Sequence, residues 1–201
     1  GEEVEQDVEG YVAVKLPLPP GTLTNLWGNA ERFKTGYLDK FSGYYFSGDG
    51  GYKDEDGYVF ITGRVDDVIN VAGHRLSTAD MEEIVSSHNS VAECAVFGIH
   101  CELKGQKPFG LIVLKSDVME TEEEIQQEII AAVRKEIGAV ASFRDVFVAK
   151  RLPKTRSGKI LRKLLRNIAD EKEFNIPSTI DDVAIIDEIK EIYIKNKIGI
   201  H

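Results

Sequence analysis

Gly63–Arg75 reads GRVDDVINVAGHR and sets charged residues on either side of a short apolar run. A glycine and the Asp66-Asp67 pair interrupt the alternation of FITGR, and Val68, Ile69 and Val71 restart it. Aspartate suits such a break because its short carboxylate can bond its own backbone. Taken alone, RVDD is an ordinary turn between two strands, the commonest use of Gly/Asp clusters. The longer string reads as a hinge centred on Asp66, because residues 1–65 and 66–201 differ in character on its two sides.

Residues 1–65 are β-rich. Tyr11–Leu16 alternates until Pro17, Pro19, Pro20 and Gly21 stop it, and Gly51–Thr62 forms a hairpin turning at Asp54-Glu55-Asp56-Gly57. Residues 66–201 interleave strands and helices. Ser77 with Asp80 signals a helix through His88, followed by strands at Val91–Ile99 and Pro108–Leu114. Thr121 and Glu124 form a capping box that opens a helix whose Ile125, Ile129, Val133 and Ile137 share one core face, with Arg134 beside it. A strand over Arg144–Val148 leads to a basic loop, then to a helix carrying Ile160, Leu161, Leu164, Leu165 and Ile168 and ending near Pro177, and a last helix spans Val183–Tyr193. The fold class is α+β: a β-rich segment followed by a small domain with a helix-covered sheet.

The chain has 201 residues, 42% of them hydrophobic, enough to bury a core in one or two domains. It begins Gly1-Glu2-Glu3, without Met or a charged-then-apolar leader, and is expected to be part of a longer chain. No apolar run approaches the ~20 residues needed to cross a bilayer. With 25 basic and 34 acidic residues the net charge is −9, which disfavours nucleic acid as a partner. Lys150–Arg166 runs against that balance with eight basic residues and no acid, which predicts an anionic ligand. Cys94 and Cys101 have neither metal-ligand spacing nor a disulfide framework and are expected to be structural thiols in a reducing compartment. The four histidines, His74, His88, His100 and His201, are expected at surface or capping positions.

Two stretches carry candidate chemistry. Ser47-Gly48-Asp49-Gly50 ends an aromatic strand, where flanking glycines expose one carboxylate able to accept both hydroxyls of a ribose, although such a turn more often serves geometry alone. In Leu152–Lys159, Pro153 fixes the entry, and Ser157-Gly158 supplies mobility just before Lys159. A Walker loop would need Gly and Ser/Thr where Pro153 and Ile160 stand. The plain alternative is an exposed basic loop leading into an amphipathic helix. The chemical one is an ammonium at Lys159 that stabilises charge developing on phosphorus oxygens.

Three stretches in this order, Tyr44–Arg64 (YYFSGDGGYKDEDGYVFITGR), the GRVDDVINVAGHRLSTAD run and Arg151–Arg166 (RLPKTRSGKILRKLLR), resemble the adenylate-forming enzymes, where a large N-terminal domain passes into a small mobile C-terminal one. KLPLPPG, VINVAGHR and STIDD look closest to short-chain acyl-CoA synthetases of the propionate-preferring type. The resemblance implies ATP, CoA and Mg2+ as cofactors and a short-chain carboxylate as substrate. It places Asp49 on the ATP ribose with Arg64 beside it, Arg75 on the adenylate phosphate, Gly73 along the pantetheine tunnel and Arg134 on a CoA phosphate. Lys159 becomes the lysine required for acyl-adenylate formation and a candidate for acetylation, which would abolish its charge. In acetyl-CoA synthetases the positions of Ser86, His88 and Val91 hold a metal ion partly through backbone carbonyls, and Ser86 departs from the pattern in side chain. Residues 1–65 would then be a remnant of the N-terminal domain, whose remainder is a missing partner, and the chain alone is expected not to catalyse adenylation. The closest type suggests the mitochondrial matrix, with the cytoplasm as the alternative. Two other functions stay open: a domain that loads a carrier protein, against which Arg134 argues, and a non-catalytic module whose basic helix Lys159–Arg166 meets a polyanion or partner.

Overall fold

In a computed structural model that describes residues 2–199, the chain divides into two compact units, Gly1–Asp67 and Val68–His201. His201 lies outside the described residues.

The first unit is a three-stranded antiparallel sheet, β1 (Gly10–Lys15), β2 (Tyr44–Lys53) and β3 (Val59–Arg64), with α1 (Ala30–Tyr37) between β1 and β2. The β2–β3 hairpin turns where the sequence predicts. Asp54 accepts the Tyr58 N–H on its Oδ1 at 2.8 Å and donates its own N–H to the Tyr58 carbonyl. Helix α1 was not expected. Asn29 caps it by accepting the Arg32 N–H, but it buries no residue, so it leaves no apolar periodicity to read. Among the described residues, every buried hydrophobic side chain lies at Ile69 or beyond, so the first unit has no core of its own.

The second unit holds a five-stranded sheet. Strands β4 (Ile69–Val71) and β5 (His74–Leu76) form a short hairpin, β6 (Val91–Cys101) and β7 (Gly105–Leu114) a long one, and the order is β5-β4-β7-β6, with β8 (Asp145–Val148) parallel to β7. The helices are α2 (Thr78–Ser86), α3 (Glu122–Glu136), α4 (Arg162–Ala169) and α5 (Ile185–Lys195). They form two cores. Phe97, Ile99, Phe109 and Leu111 pack with α4 and α5 through Leu165, Ile168, Ile189 and Tyr193. Val96, Ile112 and Val146 pack with α2 and α3 through Met81, Val85, Ile125 and Ile129. Adjacent strand residues point to opposite faces, so Val96/Phe97 and Leu111/Ile112 divide between the cores, and the sheet is helix-covered on both sides.

Local signals explain the boundaries. Ser77 accepts the Asp80 N–H, and the Thr121/Glu124 capping box is complete. Helix α2 ends at Ser86 rather than His88. The leucine-rich helix is shorter than its apolar stripe suggests: it starts at Arg162, with Ile160 bridged to Lys154 and Leu161 at the cap, and stops at Ala169, well before Pro177. Residues Ile160 and Leu161 are apolar because they pack on the first core as extended chain, not because they are helical. The last helix begins at Ile185 and is seated on that core.

Candidate functional site

The candidate residues fall into separate groups. In the first unit, Asp49 on β2 stands opposite Arg64 on β3. The Arg64 guanidinium bonds the Ser47 carbonyl at 3.0 Å, meets Asp49 Oδ1 at 3.3 Å and bonds Asp66 Oδ1 at 3.1 Å. Gly48 makes this approach possible, since a Cβ there would lie 2.7 Å from the guanidinium nitrogens. Burial works against the charged form of Arg64, but Asp66 and Asp49 outweigh it and push its pKa up. Asp49, Arg64 and Asp66 are therefore one electrostatic cluster.

The second group gathers at the closed end of the β6–β7 hairpin. Ala72 (φ 49°) and Gly73 (φ 89°) form the β4–β5 turn, and two consecutive positive-φ residues make it a type I′ turn. No atom stands within 4 Å of a Cβ built on Gly73, so the turn faces open space. Arg75 is exposed on β5, opposite Asn70. Lys104, in the β6–β7 turn, accepts the Ala72 N–H on its carbonyl at 2.9 Å and donates its ammonium to Ser142 Oγ at 2.7 Å. Ser142 in turn lines a cleft of about 150 Å3 with Ile130, Arg134, Gly138, Phe143 and Arg144. One lysine thus ties the Gly73 turn to the cleft that holds Arg134. The sequence singles out Gly73 and Arg134, whereas Lys104, Ser142 and Arg144 join them only through tertiary placement.

The third group is the loop of Lys159. Three of its seven basic neighbours in Lys150–Arg166 are held by carboxylates, so the cations of this run differ in what they can offer a ligand. Arg151 bonds Asp182 and Glu188, each at 2.6 Å; Lys154 bonds Glu93 at 2.6 Å; Arg162 grips Glu82 with bonds of 2.7 and 2.6 Å. The bonds from Arg151 hold the Glu188 carboxyl below its usual range. The loop is also braced rather than loose. Thr155 and Lys159 exchange two bonds, 2.9 Å between backbones and 3.1 Å from the Lys159 N–H to Thr155 Oγ1, while the Arg156 N–H bonds Thr179 and the Asp181 N–H bonds the Lys154 carbonyl. At its tip Lys159 is exposed, and among the described residues no carboxylate lies within salt-bridge reach of its ammonium. Helix α4, which follows this loop, packs in the first core, whereas α3, which carries Arg134, packs in the second.

Ser86, His88 and Val91 lie between α2 and β6. Both imidazole nitrogens of His88 are engaged, one with Glu128 Oε2 at 3.0 Å and one with the Ser90 N–H, and its carbonyl accepts the Val91 N–H. No three His, Cys, Asp or Glu side chains converge among the described residues, so a cation here would rest on main-chain oxygens. Both cysteines are free, and burial, helped by Glu82, pushes the Cys94 thiol up to about 12, which keeps it protonated.

Residues 80–159 match the profile of the AMP-binding enzyme C-terminal domain, and the chain carries that domain. The relatives sharpen this. The chain is 51% identical over 183 residues to human acyl-CoA synthetase short-chain family member 3, mitochondrial, covering 91% of this chain and 27% of that protein. It is 56% identical to an uncharacterised protein of Pseudomonas aeruginosa, over 95% of this chain and 30% of the relative. Its fold matches the crystal structure of the ATP-bound RpMatB-BxBclM chimera B1 with a TM-score of 0.70 and 26% identity, over 83% of this chain and 32% of the other. The chain thus spans less than a third of the length of these proteins.

Proposed function

We propose that this chain is the C-terminal portion of a short-chain acyl-CoA synthetase, which joins acetate or propionate to CoA with ATP through an acyl-adenylate. In the first step a carboxylate oxygen attacks the α-phosphorus and pyrophosphate leaves; in the second the CoA thiolate attacks the acyl carbon and AMP leaves. The observation that carries this reading is the exposed ammonium of Lys159 on a braced loop whose neighbouring cations Arg151, Lys154 and Arg162 are already neutralised. A preorganised charge of this kind stabilises the phosphorus oxygens most when their charge is greatest, in the transition state.

The second step is assigned to the closed end of the β6–β7 hairpin. The Gly73 turn leaves room for a thin pantetheine arm, Arg75 meets the adenylate phosphate, and Arg134 meets a CoA phosphate. Asp49 and Arg64 take the ATP ribose, and Mg2+ enters with ATP as its counterion. Asp66 is the hinge that exchanges the two ends, in concert with a large N-terminal domain of which residues 1–65 are the last part. The lack of a core in the first unit supports that assignment. Relatives named mitochondrial support a matrix location; the bacterial relative at 56% identity supports a cytoplasmic one.

The test is a double dissociation in the full-length enzyme. Lys159→Ala is expected to lower adenylation, followed by ATP–pyrophosphate exchange, by ~3–4 kcal/mol, or a few hundredfold, and to leave thioester formation from preformed acyl-adenylate intact. Gly73→Leu is expected to do the reverse. Equal loss of both half-reactions in both variants would refute the assignment.

A further inference from the structure

We propose that Arg144 is a second guanidinium of the CoA site, pairing with Arg134 to clamp the 3′-phosphate of CoA and select it over dephospho-CoA. This inference rests on the CoA-synthetase reading above and adds a residue to it. Arg134 sits in the last turn of α3, and Arg144 directly precedes β8; the two line one cleft. Both are exposed, and among the described residues neither has a carboxylate within salt-bridge reach. The acids beside them are occupied elsewhere: Asp145, next to Arg144, holds Lys107 at 2.7 Å, and Glu136, near Arg134, meets Lys135 at 3.4 Å. Two guanidiniums on one small cleft repel each other unless an anion lies between them, and a phosphate dianion offers enough oxygens for both to bond.

Size and rigidity favour a terminal phosphate over a whole nucleotide. At about 150 Å3 the cleft is half the ~300 Å3 at the lower end for sites that enclose a small molecule. Its wall is preorganised. Gly138 (φ 100°) and Ser142 (φ 51°) bracket a single 3-10 turn, Lys104 holds Ser142, and buried Phe143 packs so closely on β7 that a Cβ on Gly110 would lie 2.8 Å from its ring. With Phe143 and Val146 both buried, the backbone of Arg144 is fixed between them and its side chain remains exposed. The helix end offers no help to an anion, since the C-terminus of α3 presents carbonyls and carries the negative end of the dipole. Attraction must come from side chains, and a second arginine doubles it. The link through Lys104 to the Ala72–Gly73 turn places this clamp in the same neighbourhood as the proposed pantetheine path.

The test measures kcat/KM of the full-length enzyme for CoA and for dephospho-CoA in the thioester-forming half-reaction, using wild type, Arg144→Ala, Arg144→Lys and Arg134→Ala. The expected result is a wild-type preference for CoA that falls about tenfold in Arg144→Ala through KM, with partial recovery in Arg144→Lys, and a similar fall in Arg134→Ala. Circular dichroism of each variant checks that the fold is kept. If wild type prefers CoA and Arg134→Ala loses that preference while Arg144→Ala keeps it, the assignment of Arg144 is overturned and the CoA reading stands. If wild type forms no thioester with either thiol, the CoA reading itself fails, and Arg144 with it.

Discussion

Replacing Arg162 by Met should unfasten the start of α4 and, with it, the loop of Lys159. Arg162 joins α4 to α2 by two charge-assisted bonds to Glu82, and Glu82 Oε1 also accepts the Val96 N–H of β6 at 2.8 Å. The two side chains are 25% and 16% exposed. Removing one partner of a fully buried pair costs ~3–5 kcal/mol. Partial exposure and the surviving bond from Val96 to Glu82 reduce this to about 2 kcal/mol, which in a unit of this size corresponds to a fall in Tm of roughly 8 °C. Since Lys159 lies three residues before Arg162, adenylation should drop by about tenfold, because a misplaced group loses much of its effect. Thioester formation should be spared. The assay is a thermal-unfolding double-mutant cycle with Glu82→Gln, run beside both half-reactions. A coupling of ~1–2 kcal/mol is expected. Additive effects of the two substitutions, with adenylation unchanged, would refute the idea that this pair positions the loop.

Two further substitutions probe the frame. Gly110→Ala places a Cβ 2.8 Å from the Phe143 ring and 3.2 Å from Val146. Overpacking there should cost ~1–3 kcal/mol and raise KM for CoA by moving the cleft wall; calorimetry and KM measurement together check it, and a neutral variant would show that Phe143 yields freely. Thr121→Ala removes the hydroxyl half of a capping box and should cost ~1 kcal/mol at pH 7. The Thr121 N–H and hydroxyl hold the Glu124 carboxyl below its ordinary range, so the contribution of its charge is complete above the unfolded carboxylate pKa and disappears as pH falls through the lowered folded one. The stability gap between wild type and variant, followed by denaturant titration from pH 7 to 3, should therefore narrow in acid without closing, because the bond from the Glu124 N–H to Thr121 Oγ1 does not titrate. A widening gap would contradict the sign.

Local chemistry made much of the fold legible. Caps at Ser77 and Thr121, the Asp54–Gly57 turn and the i, i+4 row from Ile125 act within a few residues, and each stands where the sequence predicts. The misjudged features have tertiary causes. Apolar Ile160 and Leu161 look helical only because the first core buries extended chain as well as helix. Within Lys150–Arg166, folding brings Glu82, Glu93, Asp182 and Glu188 against Arg151, Lys154 and Arg162 from positions 31 to 80 residues away, a selection among the eight cations that no local pattern shows. Arg144 carried no signal at all, since its proposed role comes from lining one cleft with Arg134.

The same distinction bears on the hinge. Arg64 holds Asp66 and Asp49 at once, but the side chains are 48%, 58% and 31% exposed, and ion pairs at such exposure contribute only about 0–1 kcal/mol each. Breaking the Arg64–Asp66 contact is therefore cheap, and a nucleotide that offers Arg64 and Asp49 better partners can outweigh it. Arg162–Glu82, at lower exposure and with two bonds, resists far more strongly. The weak contact lies beside the proposed pivot, and the strong one braces the loop of Lys159. The proposed domain motion calls for that order of strengths: a labile ion pair beside the pivot, and a lysine loop that keeps its shape while the domain moves.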